Sequence, residues 1–207
     1  MKKVTILLLA FCAGFSIMCF EIIGGKLLAP YFGSSVYVWG SIITIFMLAL
    51  SIGYLIGGKY SLYQPSVTKY GFIYIGAAIA IIPTIWFSEP IMDFVFSIVE
   101  DPRYGSLLAS TIMFLVPTII MGMIAPYSVR ILTESTASSG HTAGFLYFVS
   151  TFGSAIGTIM TSFYFVLWFE MNQILWLTSG IMFSAGALAL AISFSEQQST
   201  DKAATSV

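Results

Sequence analysis

The sequence has 207 residues, of which 58% are hydrophobic and 8% charged, with a formal net charge of -1. A soluble domain carries roughly 25% charged residues, so the composition excludes an ordinary soluble domain and predicts a protein embedded in a bilayer. The near-zero net charge argues against nucleic acid as a partner.

A bilayer core of roughly 30 Å takes about 20 apolar residues per helix. The first such stretch, residues 4–29, begins within the opening "MKKVTILLLAFCAGFS". Two lysines before an apolar run also open a secretory signal, but the run continues past Ser16 and no small-residue cleavage site follows. An uncleaved first transmembrane helix is expected. Cys12 and Cys19 lie on it about 10 Å apart in helical rise, too far for a disulfide, and read as small apolar fillers.

Glu21 is the conspicuous residue of this helix. Intramembrane ionisable groups are costly and face a bundle interior or water. At helical spacing Gly14, Ile17, Met18, Gly24 and Gly25 share its face. The three glycines let a neighbouring helix or a ligand come close. Glu21 therefore reads either as a counter-ion for a cation or proton, or as a structural carboxyl tied to another helix. Beyond it, Pro30 and Gly33 predict a turn, and Tyr31, Phe32, Tyr37 and Trp39 form an aromatic rim.

The second helix is expected over 36–58, with Ala49, Gly53 and Gly57 at four-residue spacing. The third is expected over 67–87, with Pro83 inside it. The apolar run 91–99 is too short to span and reads as an interfacial helix. The fourth, 105–131, carries Pro117, Gly122 and Pro126. Each proline removes a backbone hydrogen bond, so a kink or break is expected there. Arg130 marks its end, with Glu134 four residues on.

His141 is placed in the loop before the fifth helix, 142–168. On that helix Tyr147, Ser150, Thr151, Ser154, Thr158, Thr161 and Ser162 recur at three- and four-residue steps, with Gly153 and Gly157 at the edge. Hydroxyls in that pattern line a hydrated path or hold helices together. The sixth helix is expected over 172–194. The bundle thus occupies 1–195, and the polar tail 196–207 is expected to be disordered.

The fold class expected is all-α integral membrane, with six transmembrane helices. Dividing them three and three sets Gly53 and Gly57 against Gly153 and Gly157. That division is either a 3+3 inverted repeat resembling half of a major facilitator fold, or ordinary small-residue packing.

Orientation follows from lysine and arginine. Lys2, Lys3, Lys59, Lys69, Arg130 and Lys202 fall on one side, Lys26 and Arg103 on the other. Both termini are therefore expected in the cytoplasm. Glu89, Asp93, Glu100, Asp101 and Glu170 fall outside, and Trp39, Trp86, Trp168 and Trp176 fall near the outer interface.

No Gly-rich nucleotide loop follows a strand, and no Ser-His-Asp set or HExxH occurs. One histidine cannot make a multi-histidine metal site. No catalysis, cofactor or metal is expected.

The segments "EIIGGKLLAPYFGSSVYVWGSIITIFMLALSIGYLIGGK", "PTIIMGMIAPYSVRIL" and "GHTAGFLYFVSTFGSAIGTIMTSFYFV" resemble the membrane region of bacterial membrane-bound spermidine synthase-like proteins. The resemblance runs over about residues 10–190 and includes Gly122, Pro126, Arg130, Gly144, Tyr147, Ser150, Thr151, Gly153, Ser154 and Gly157. It implies a bacterial inner-membrane location and major-facilitator-like helices. In the family this region commonly precedes a soluble aminopropyltransferase-like domain. The sequence ends at Val207 without one, so synthase activity is not expected of these residues. The loop "GGKYSL" departs from the family, with Lys59 in place of Arg and no Asp.

Two functions are then expected as alternatives. One is a transporter-like module for a small cationic, polyamine-like substrate, with Glu21, Tyr31, Trp39, Tyr147, Thr151 and Ser154 as its site, working as a homodimer. The other is a scaffold that holds a separately encoded S-adenosyl-ligand enzyme of aminopropyltransferase or methyltransferase type at the membrane. Gly24, Gly25, Gly53, Gly57, Pro117, Gly122, Pro126, Gly153 and Gly157 are the expected packing and hinge positions.

Overall fold

Residues 2–133 and 139–205 are described by a computed structural model. Among the described residues eight α-helices occur in this order: α1 (Lys2–Phe32), α2 (Val36–Tyr60), α3 (Val67–Ile98), α4 (Pro102–Gly122), α5 (Ile124–Leu132), α6 (Ser139–Met160), α7 (Val166–Trp168) and α8 (Met171–Thr205). A π-helical turn, Thr161–Phe165, joins α6 to α7. No strand occurs among the described residues. Six stretches of the described residues are long and apolar enough to cross a membrane: α1, α2, α3, α4 with α5, α6 through α7, and the first part of α8. The protein is an all-α, multi-pass membrane protein.

The break in the fourth span falls where the prolines put it. Proline cannot donate to the carbonyl four residues back and crowds it. For Pro126 that carbonyl is Gly122, where α4 ends, and Met123 forms the turn into α5. For Pro117 it is Met113, and here Thr84 of α3 supplies the missing donor: its hydroxyl donates to Met113 O at 3.2 Å. The upper proline is thus repaired by a neighbour, and the helix continues through it.

Four expectations are corrected. The segment 91–99 is not a separate interfacial helix. It is the end of α3, which runs unbroken through Pro83 and Pro90. The cause is packing: Ser88, Met92 and Val95 continue the buried face of Ile81, Thr84 and Ile85, and Phe96 meets Tyr31 and Phe32 at ring distances of 6.2 and 5.8 Å. The polar tail is helical as far as Thr205, an extension of α8. His141 lies in the first turn of α6, not in a loop, and is exposed. Glu134 lies outside the described residues. The turn after α1 comes at Gly33, whose φ of 76° suits glycine, while Pro30 stays within the helix.

The packing repeats between the two halves. In one pair of spans, Gly153 and Gly157 of α6 lie on the backbone of Phe11 and Phe15 of α1, and Gly14 lies on the carbonyl of Ser150. In the other pair, Gly53 and Gly57 of α2 lie on Ile119 and Met123, and Gly122 lies on Leu50. The same spacings recur: 11, 14 and 15 against 119, 122 and 123, and 150, 153 and 157 against 50, 53 and 57. Contacts rise together along each pair, so each pair is parallel. Because Phe20 meets Phe46 and Gly25 meets Trp39, α1 and α2 are antiparallel. The two pairs therefore run in opposite directions. The third pair, α3 with α8, is antiparallel, with Gly71 and Gly186 in mutual backbone contact. Six spans related in this way form a 3+3 inverted repeat.

Glycine allows such approach because it lacks a Cβ, and close van der Waals packing is what associates helices in lipid. Polar contacts add to it. Ser154 Oγ donates to Gly14 O at 3.1 Å, Ser106 Oγ to Ser41 Oγ at 2.9 Å, and Ser179 Oγ to Ala78 O at 2.9 Å.

Candidate functional site

A cavity of about 180 Å³ lies between α1, α2, α6 and the junction of α4 with α5. Glu21 lines it from α1, Tyr54 from α2, and Tyr147, Ser150, Thr151 and Ser154 from α6. Ala13, Ile17, Met121 and Ala125 supply apolar wall. The predicted face of Glu21 is thus partly realised: Gly14, Ile17 and Met18 share the cavity with it. Gly24 and Gly25 face neighbouring rings instead, Phe114 and Trp39 respectively.

The cavity lies where the two repeats meet. By the register of the glycine contacts, Leu50 matches Ser150, Tyr54 matches Ser154, Ala13 matches Met121 and Ile17 matches Ala125. All eight line the cavity. In the same register Glu21 matches Val129 of α5. The acid therefore has no counterpart, and a symmetric scaffold carries one negative group on one side. Among the described residues Glu21 makes no hydrogen bond or ion pair and is partly buried. A carboxyl so placed is stabilised by an entering cation or proton, because charge in a low-dielectric site is costly until compensated.

The hydroxyl stripe of the fifth span divides into two uses. Tyr147, Ser150, Thr151 and Ser154 face the cavity. Lower on the stripe, Thr158 bonds its own helix at Ser154 O, 2.9 Å. Thr161 donates to Cys19 Sγ at 2.9 Å, and Cys19 Sγ in turn points to Gly157 O at 3.8 Å. Cys19 is thus more than an apolar filler: it ties α1 to the π-helical turn. Ser162 is exposed.

Tyr31 and Trp39 do not join this site. Tyr31 lies near the Asp93 carboxyl and lines a different cavity near the end of α3. Trp39 covers Gly25. Tyr37 lies under the Arg103 guanidinium, 5.7 Å from the ring centre. The aromatic rim therefore packs against separate partners and forms no cage over Glu21. Arg103 also pairs with Asp101 at 3.3 Å. The Arg103 backbone N–H, then its guanidinium, hold Asp101 below the usual carboxylate range.

Tyr54 was missed by the stripe argument, since α2 shows no run of hydroxyls. The signal that locates it is the repeat itself: it follows Gly53 as Ser154 follows Gly153. A second feature gave no sequence signal. Tyr70 and Tyr74 of α3 are wholly buried and join Ser128 of α5 in a hydroxyl chain. Ser128 Oγ donates to Ile124 O at 2.7 Å, so Tyr70 donates to Ser128 at 2.6 Å and Tyr74 to Tyr70 at 3.2 Å. Beside them Tyr127 stacks on Tyr70 and accepts from Ser66 N–H at 3.1 Å. This chain fixes α5, the short half of the broken span, against the start of α3. No group of three or more metal-ligating side chains occurs among the described residues.

Comparison with protein-family models, curated proteins and solved structures yields no match to this chain.

Proposed function

We propose that the chain is a transporter-like module for a small cation, of the aliphatic-ammonium or polyamine-like class, bound at Glu21. The observation that carries this reading is the unpaired Glu21 carboxyl in a hydroxyl-lined cavity between two inverted repeats. Inverted repeats with a binding site at their junction are a common transporter plan. The single acid suits one positive charge at a time. Tyr54, Tyr147, Thr151 and Ser154 supply acceptors for its N–H groups. The glycine-locked pairs α1–α6 and α4–α2 then act as two blocks that rock about the cavity, with Met123 as a hinge.

Both termini lie on the lysine- and arginine-rich side, the cytoplasmic face of a bacterial inner membrane in this reading. A second copy completes the unit. Spans two and five leave Thr44, Ser51, Thr151 and Ser162 exposed, and hydroxyls at membrane depth are better covered by protein than by lipid. A homodimer joined along these spans shields them and closes the cavity from the side.

The test is reconstitution in liposomes with measured binding and flux of a radiolabelled polyamine, wild type against Glu21→Gln. Saturable binding lost in the variant supports the reading. Absence of binding and flux in a folded wild type, with copurification of a soluble S-adenosyl-ligand enzyme, supports the membrane-scaffold reading instead.

A further inference from the structure

A second cavity, about 530 Å³, opens at the other end of α1 from Lys2, between α1, α3 and the turn into α8. The residues that matter in it are Tyr31, Ser88, Glu89, Met92, Glu170 and Asn172. Glu89 and Glu170 come from different spans and both face the space. The Asp93 carboxyl stands near Tyr31 of the lining. Ser88 is the independent sign of a ligand. It is 5% exposed and lines the cavity, and no described residue partners its hydroxyl. The residue is nearly enclosed, yet its hydroxyl keeps accessible surface and has no protein partner, so the cavity is where a polar group of a ligand would meet it.

The chemistry of the wall selects the ligand class. Two carboxylates bring negative charge, Ser88 and Asn172 add neutral polar groups, and Tyr31, Met92, Leu27 and Phe169 supply apolar wall. A bare metal ion requires more oxygen ligands than two separated carboxylates provide, and no cluster of three metal-ligating side chains occurs among the described residues. An organic ammonium uses both halves of such a wall: its N–H groups reach carboxylate and hydroxyl oxygens, and its alkyl body covers the apolar part. We infer that this cavity is a separate binding site for an alkylammonium group, held between Glu89 and Glu170 with Ser88 as a hydrogen-bond partner. Its ligand is either a soluble amine or the ammonium of a phosphatidylethanolamine headgroup.

The site stands independently of Glu21, so the two are separable by mutation. The experiment is calorimetric titration of the protein, in nanodiscs of phosphatidylcholine alone, with 1,4-diaminobutane. The proteins are wild type, Glu89→Gln/Glu170→Gln, Ser88→Ala and Glu21→Gln. Expected is a binding event that survives Glu21→Gln, weakens at least 10-fold in the double variant and weakens a few-fold in Ser88→Ala. Glu89 and Glu170 are exposed, so their neutral replacements keep the fold, which an unchanged melting temperature verifies. Repeating the wild-type titration with phosphatidylethanolamine in the disc identifies the source. A lowered apparent affinity assigns the site to the headgroup, and an unchanged one to the soluble amine. No binding event in wild type, or one untouched by the double variant, overturns the inference.

Discussion

Gly57 lies directly on the backbone of Met123: a methyl group added to it would sit 2.6 Å from the Met123 Cα. Gly157 makes the matching contact with Phe15, where an added methyl would sit 3.0 Å from the Cα. These contacts place one helix of each pair at backbone distance from the other. They also hold both sides of the cavity, since Met123 is the turn between α4 and α5.

Gly57→Ala and Gly157→Ala are therefore each expected to destabilise the protein by about 1–3 kcal/mol, the usual cost of overpacking a tight contact. Gly58→Ala, one position along and facing open space, is the control and is expected to change stability little. Thermal unfolding in detergent, followed by tryptophan fluorescence, checks all three.

Tyr70→Phe removes the hydroxyl that joins Tyr74 to Ser128 inside the bundle. A buried polar group left without its partner costs about 1–3 kcal/mol, and that loss is expected here. Because the chain fixes α5 to α3, the accompanying change should appear in hydrogen exchange at α5. Faster exchange over Ile124–Leu132, with α8 unaffected, is the predicted pattern.

Asp101 caps α4, accepting from the Arg103 backbone N–H at 2.8 Å. Its folded-state carboxyl is held below the usual range, by that N–H first and by the guanidinium second. A lowered folded pKa means the cap contributes fully above the ordinary carboxylate range and is lost as pH falls through the folded value. Wild type should lose stability over that acid window relative to Asp101→Ala, which has no cap to titrate. Melting temperatures of the two proteins between neutral pH and the acid limit of folding measure it.

A homodimer joined along spans two and five predicts that Ser51→Cys and Phe148→Cys, both on exposed positions of those spans, crosslink between copies in membranes. Leu188→Cys, exposed on α8, should not. Crosslinking confined to α8 would contradict that interface.

Much of this architecture was legible in the residues. The six apolar runs gave the spans, because lipid leaves helices as the simplest way to satisfy a backbone. Pro117, Gly122 and Pro126 located the break, though not which proline would act. That depended on Thr84, a partner distant in sequence that compensates Pro117 and leaves Pro126 decisive. Gly53, Gly57, Gly153 and Gly157 suggested the repeat, and their contacts with α4 and α1 gave it a register. The length of α3 was misjudged because Ser88, Met92 and Val95 are buried by tertiary packing that local hydropathy does not record. Within the site, Glu21, Tyr147, Thr151 and Ser154 were found by polarity and spacing, and they meet in one cavity. Tyr31 and Trp39 were grouped with them by chemistry alone, and the geometry separates them. The π-helical turn at Thr161–Phe165 and the buried tyrosines had no local sequence signature.

The central claim is that Glu21 receives a cation in the cavity between the repeats. Its most direct test is equilibrium binding of a radiolabelled polyamine to the reconstituted protein, comparing wild type with Glu21→Gln in a Glu89→Gln/Glu170→Gln background that removes the second acidic cavity. The account predicts saturable binding that falls at least 10-fold in affinity when Glu21 is neutralised, with an unchanged melting temperature. Binding of equal affinity in both proteins, or none in either, would contradict it.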